Sequence, residues 1–253
     1  MNNSTPILGV ALLFAGLLLW LQGGQAALFI QLNALTATLP DWLWANLTLL
    51  ADTLWAVAAL LIAASYRPRL LGQALLVLLV GGLIVHLGKA GFDAARPAKV
   101  LAEDAFHIIG PTLKHHSFPS GHAFTAMAAA GLLAMTFTRF AAIILVVGLA
   151  AAVSRVAVGA HWPLDVLVGG GLGLLTAWGC IVWSNNRAWV HSNGWRFSAM
   201  CLLTLATLAL AFHDDRYPDT QLLTVVTSLL ALVIAGQRLW WPLWRLIRQT
   251  DQN

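Results

Sequence analysis

The chain has 253 residues, 59% of them hydrophobic and only 9% charged, with a formal net charge of +4. Soluble domains hold about 25% charged residues, so a water-soluble enzyme or binding module is excluded, and an integral membrane protein with spans of about 20 apolar residues is expected. The basic balance, with a pI near 9.6, comes from residues scattered at segment ends, which points to membrane topology and away from nucleic acid.

Eight apolar runs follow one another, at residues 6–22, 45–65, 70–88, 122–138, 140–158, 163–184, 197–212 and 220–240. The first lacks the basic flank of a secretory signal and reads as a retained span. Asp52 sits just inside the second run, where helix packing is the favoured role. Cys180 and Cys201 both lie inside apolar runs, with no metal-like spacing, and read as small buried hydrophobes rather than a disulfide. The break "SNNRAWVHSNGWR" precedes the last two runs, which makes residues 188–253 a candidate appendage to a six-span unit at 1–187.

An amino terminus in the cytoplasm puts Arg67, Arg69, Arg139, Arg187, Arg196, Arg238, Arg245 and Arg248 in inner loops or at inner span ends. The outer side then holds Lys99, Lys114 and Arg216, with Lys89, Arg96 and Arg155 set apart for chemistry. That bias favours both termini inside. Trp42 and Trp44 flank the second run and Trp240, Trp241 and Trp244 close the last, at the levels where aromatic anchors sit.

Three polar clusters fall on the same outer face. They are "KAGFDAARP", with Lys89 and Arg96; "PSGH", Pro119 to His122; and "SRVAVGAHWPLD", with Ser154, Arg155, His161 and Asp165. Polar groups at span ends are costly unless they pair with one another or with a ligand. Two arginines and a lysine suit the oxygens of a phosphate. Ser120 and Gly121 stand at a helix start, where free N–H groups and the helix dipole favour an anion. His161 and Asp165 are four apart at another helix start, so the carboxylate can fix the imidazole tautomer and leave the other ring nitrogen to attack phosphorus. His122 can then protonate the departing oxygen and later activate water. His86, His107, His191 and His213 read as interfacial residues, while His115 and His116 lie beside the motif. Selectivity among lipids is expected from residues 98–118, with Lys99, Glu103, Asp104 and Lys114.

Lys-x6-Arg-Pro, Pro-Ser-Gly-His and Ser-Arg-x5-His-x3-Asp, in that order over residues 89–165, resemble the tripartite signature of the type-2 phosphatidic acid phosphatase superfamily. The resemblance implies an all-α fold: a polytopic membrane helical bundle with a six-helix phosphatase core, here carrying two further C-terminal transmembrane helices. It implies His161 as nucleophile, Asp165 as its orienting partner and His122 as acid/base, with Lys89, Arg96, Ser120, Gly121 and Arg155 as the phosphate cradle. It implies no metal ion and no cofactor. The vanadate-dependent haloperoxidases share such a cradle but are soluble.

The expected function is therefore a membrane lipid phosphatase working through a phosphohistidine. The best candidate substrate is undecaprenyl diphosphate, ahead of phosphatidylglycerol phosphate, phosphatidic acid and lipid A phosphates. The expected location is a bacterial inner membrane with the site facing the periplasm. Two other readings stand beside it. One is a phosphotransferase that passes the phosphate to another lipid; the other is a non-enzymatic lipid transporter, which repeated halves or broken helices at mid-membrane would mark. No residue pattern sets an oligomeric state.

Overall fold

A computed structural model describes residues 4–102 and 104–250, so Glu103 lies outside the described residues. Within them the chain is helical, with no strand. The helices are α1 (Ser4–Gln22), α2 (Gln25–Thr36), α3 (Asp41–Leu50), α4 (Thr53–Tyr66), α5 (Arg69–Phe92), α6 (Pro97–Val100), α7 (Gly121–Thr136), α8 (Ala141–Ala157), α9 (Pro163–Asn185), α10 (Asn193–Leu210), α11 (Gln221–Ala235) and α12 (Trp241–Thr250). Each of the eight apolar runs is helical. Among the described residues, five stretches are long and apolar enough to cross a membrane, at Ser4–Gln22, Arg69–Val100, Thr138–Ala157, Pro163–Asn185 and Gln221–Leu246. Helix α7 is shorter but apolar.

The second run is not one straight helix. It breaks between α3 and α4 with a 62° bend, and Asp52 sits at the break. Its Oδ1 accepts the N–H groups of Leu54 at 2.8 Å and Trp55 at 3.3 Å, capping α4. The segment before it also holds a helix, α2, entered through Gly23 and Gly24 with φ of 68° and 73°. That left-handed pair breaks the helix between α1 and α2. Asn33 on α2 is fully buried and donates to the carbonyls of His107, Val156 and Ala157, which ties α2 to the end of α8.

Helix α9 is the centre of the bundle, and its run "VGGGLG" explains how. A Cβ on Gly169 would press into the Ser120 carbonyl oxygen, and one on Gly173 into that of Phe124. On another side, a Cβ on Gly171 would meet Leu13 and the Gly9 carbonyl. The glycines thus let α7 and α1 approach the α9 backbone, the small-residue packing that membrane helices use where lipid leaves no hydrophobic drive between them. The same contact sets the first turns of α7 and α9 against each other.

At the opposite end of the bundle, arginines lie over aromatic rings. Arg238 stands 4.1 Å from the Tyr66 ring centroid, Arg248 4.0 Å from Trp244 and Arg187 5.2 Å from Trp183. Guanidinium groups on aromatic faces suit the boundary between lipid and water.

Gly173→Val is expected to destabilise the protein in detergent by about 1–3 kcal/mol through overpacking. Gly179→Ala on the same helix, where a new methyl meets nothing within 4 Å, is expected to be neutral or stabilising by up to about 1 kcal/mol. Thermal unfolding of the two variants side by side checks both signs.

Candidate active site

Six helix ends meet at one end of the bundle: the last turns of α5 and α8, the start of α6, and the first turns of α4, α7 and α9. Lys89 stands in the last turns of α5, and a Cβ added at Gly121 would lie 3.7 Å from its Nζ. The first and second sequence clusters therefore touch. Arg96 precedes α6 and is buried. Its Nε donates to the His115 carbonyl at 2.7 Å, Nη1 to Ala160 at 2.9 Å and Nη2 to His116 at 3.4 Å. One guanidinium so stitches the 115–116 strip to the turn before α9, with two of its five N–H groups left over.

The α7 start differs in one detail from expectation. The Ser120 N–H is not open to a ligand: it donates to the Asp165 carbonyl at 3.1 Å, and Ser120 Oγ caps the helix by accepting from the Ala123 N–H at 3.3 Å. The N–H groups of Gly121 and His122 follow in the first turn, where no intrahelical acceptor exists.

The third cluster is built around one carboxylate oxygen. Asp165 Oδ2 accepts the Ser117 hydroxyl at 2.5 Å and the Trp162 N–H at 3.0 Å, and lies 3.3 Å from His161 Nδ1. Both residues of the pair are almost fully buried. Pro163 opens α9 and puts Asp165 in its first turn, which explains the reach back to Trp162 and His161. With Nδ1 facing the carboxylate, Nε2 of His161 is the free ring position. Burial first, and then the positive charges of Arg96 and Arg155, hold the His161 pKa well below its ordinary 6.5; His122 and Lys89 act in the same direction. The ring is therefore a neutral imidazole at physiological pH, and the groups of all three clusters lie within electrostatic reach of it.

Arg155 is 1% exposed. Its Nη1 donates to Tyr217 Oη at 2.9 Å and more weakly to Thr48 Oγ1 at 3.4 Å, while Nε is buried with no partner. Ser154, beside it, is held by Thr48 at 2.6 Å. Among the described residues no ion pair involves Lys89, Arg96 or Arg155.

His122 lies between two cavities. One, of about 290 Å³, is a mainly apolar groove between α4, α5 and α7 that includes Gly81, Gly82, Val85 and Lys89. The other, of about 340 Å³, is bordered mainly by polar and charged residues, among them Asp52, Arg155, His213 and Tyr217. His213, expected to be a plain interfacial residue, faces Asp52 at 3.8 Å, and His107 pairs with Asp41 at 2.8 Å. Ser117, Thr48 and Tyr217 are absent from the sequence-based set. Ser117 carried a signal, since it lies three residues before Ser120 in the densest polar run of the chain; Thr48 and Tyr217 carried none.

Comparison with known proteins bears out the resemblance. Residues 70–189, which contain all three clusters, match the PAP2 superfamily. The chain is 36% identical over 108 residues to the lipid A 1-phosphatase of Rhizobium etli, covering 38% of this chain and 44% of that one. It is 29% identical over 124 residues to the undecaprenyl-diphosphatase of Sulfolobus acidocaldarius, covering 48% and 59%. The chain thus spans about half the length of these curated relatives. The crystal structure of Aquifex aeolicus LpxE superimposes with a TM-score of 0.55 at 26% identity, covering 62% of this chain and 93% of that one.

Because cations depress the His161 pKa, removing one must raise it. Arg96→Gln is expected to move the His161 titration midpoint upward, and Lys89→Gln, which breaks no loop hydrogen bond, to move it upward by less. Nitrogen-15 imidazole NMR on histidine-labelled protein in detergent reads both shifts.

Proposed function

We propose that this protein is a membrane lipid phosphatase of the PAP2 type that transfers the phosphoryl group of a lipid to His161 and then to water. The observation that carries this reading is the buried His161–Asp165 pair, set within electrostatic reach of three cations that have no carboxylate partner. An anion is the missing component of such a site, and a tetrahedral phosphate matches guanidinium forks and an ammonium group.

In the first step Nε2 of His161 attacks phosphorus as the bond to the lipid oxygen breaks, and His122, protonated in the complex with the anionic headgroup, gives its proton to that oxygen and becomes neutral. Asp165 keeps the Nδ1 proton of His161 in place and stabilises the ring as it becomes positively charged. In the second step His122 takes a proton from water, whose oxygen attacks phosphorus as the P–N bond breaks, releasing orthophosphate and neutral His161. Lys89, Arg155 and the free N–H groups of Arg96 stabilise charge on the equatorial oxygens, with the first-turn N–H groups of α7 beside them. The donors at the site are imidazole and cation, so the reaction is proposed to run without a metal ion.

The apolar groove ending at Lys89, Gly121 and His122 is proposed to take the hydrocarbon next to the headgroup. Among substrates, the 1-phosphate of lipid A comes first on the strength of the Rhizobium likeness. Undecaprenyl diphosphate, the first choice from sequence, comes second through the Sulfolobus relative. The motif end is proposed to face the periplasm, with the arginine-bearing end in the cytoplasm.

Purified protein is expected to release phosphate from lipid A and from polyprenyl diphosphate with chelator present, and His161→Ala to lower turnover by at least about a thousandfold. Undiminished turnover by His161→Ala would remove the phosphohistidine step. Since the nucleophile is neutral above its depressed pKa, the acid limb of kcat/KM is expected below pH 6.5; a limb above that value contradicts His161 as nucleophile.

A further inference from the structure

The connection between α10 and α11, residues 211–220, folds back over the site. It is fastened at several points. Asp215 Oδ1 accepts the Tyr217 N–H at 3.0 Å and the Thr220 hydroxyl at 2.8 Å. Asn46 on α3 donates to the Asp219 carbonyl at 3.2 Å. The Tyr217 ring lies so close to Gly110 that a Cβ there would collide with it, and Gly110 has a φ of 77° that suits glycine. These contacts deliver the Tyr217 phenol to Arg155.

Arg155 needs such a partner. It is buried, lacks a carboxylate partner and carries an unpartnered Nε. Of the two side chains that hold it, Thr48 is at 3.4 Å and Tyr217 at 2.9 Å. The guanidinium carbon also lies 5.6 Å from the Tyr217 ring centroid, within reach of a cation–π contact. A carboxylate in this position would orient Arg155 equally well but would neutralise it and compete with an incoming anion. A phenol oxygen accepts one N–H and leaves the charge intact.

We propose that Tyr217 is a positioning residue of the phosphate site: it fixes the Nη1 side of Arg155 so that Nε and Nη2 point their hydrogens at the anion as a two-pronged fork. The last two apolar helices thereby acquire a role, as the frame that brings Tyr217 from outside the matched segment 70–189 into the site. The inference rests on the phosphate-site reading above, and the test separates the two.

Full-length protein in detergent is titrated with orthovanadate as a phosphate mimic, by calorimetry, alongside lipid turnover. Tyr217→Phe, which keeps the ring and removes only the acceptor, is expected to weaken vanadate binding about tenfold with the thermal midpoint unchanged. In an Arg155→Lys background the same change is expected to add little, a non-additivity that a general packing role does not produce. Tyr217→Asp, which pairs with Arg155, is expected to abolish vanadate binding. Wild-type affinity in either Tyr217→Phe or Tyr217→Asp overturns the proposal, as does full additivity with Arg155→Lys. Tyr217-dependent vanadate binding without phosphate release from any lipid leaves the proposal standing and removes the phosphatase reading. Failure of the wild type to bind vanadate removes the proposal, whatever its turnover.

Discussion

Positive charge buried without a carboxylate to meet it governs this structure. Buried Arg96 and Arg155 and half-buried Lys89 converge at one end of the bundle, and among the described residues none of them forms an ion pair. Withdrawing an unpaired charge from water costs several kcal/mol even after relaxation. The fold offsets that cost with neutral acceptors: three backbone carbonyls for Arg96, a phenol and a hydroxyl for Arg155. Neutral acceptors hold a guanidinium in place without cancelling its charge. The one carboxylate at the centre, Asp165, is occupied by Ser117, Trp162 and His161. The positive field is thus left open for something that arrives from outside.

Packing is what allows the charges to converge. The glycines of α9 let the α7 backbone come into contact, and the same approach carries the Ser120 N–H to the Asp165 carbonyl. A helix pair held apart by ordinary side chains would keep His122 and His161 on separate walls. Packing and chemistry are therefore not separate tasks for residues 169–173: their lack of side chains is a condition for the relation between two imidazoles several turns away.

Much of this was legible in the sequence because it is local. Lys89 and Arg96, Ser120 to His122, and Arg155 through Asp165 are each confined to a few residues at a helix end, so composition and spacing identify them without knowledge of the fold. The all-helical architecture was legible for a similar reason, since apolar runs of membrane length leave the chain few alternatives. What escaped depends on tertiary contact. Tyr217 is 62 positions from Arg155 and Thr48 is 107 from it, and nothing about a tyrosine in "DRYPD" announces an arginine elsewhere. Asp52 looked like a polar residue inside a span because its apolar neighbours run on unbroken, whereas the backbone bends there and uses it as a cap. Helix α2 was missed because "QAALFIQLNALT" is too short and too polar to read as a span.

The position of His122 between an apolar groove and a cavity bordered by polar residues gives the proposed reaction its direction. In-line attack by His161 requires the lipid oxygen to leave on the far side of phosphorus, and the water of the second step must enter from that same far side, because the P–N bond now occupies the near one. One acid/base group can therefore serve both steps, provided it can meet a lipid oxygen and a water molecule in turn. His122 borders both environments: in the proposed reaction the groove would let the dephosphorylated lipid withdraw among hydrocarbon side chains, and the cavity beside Asp52 and His213 would admit water. A site buried deeper in the bundle would exclude that water, and one lying wholly in the outer loops would give the lipid tail nowhere to rest. Placing the imidazole at the first turn of α7 meets both requirements with a single residue.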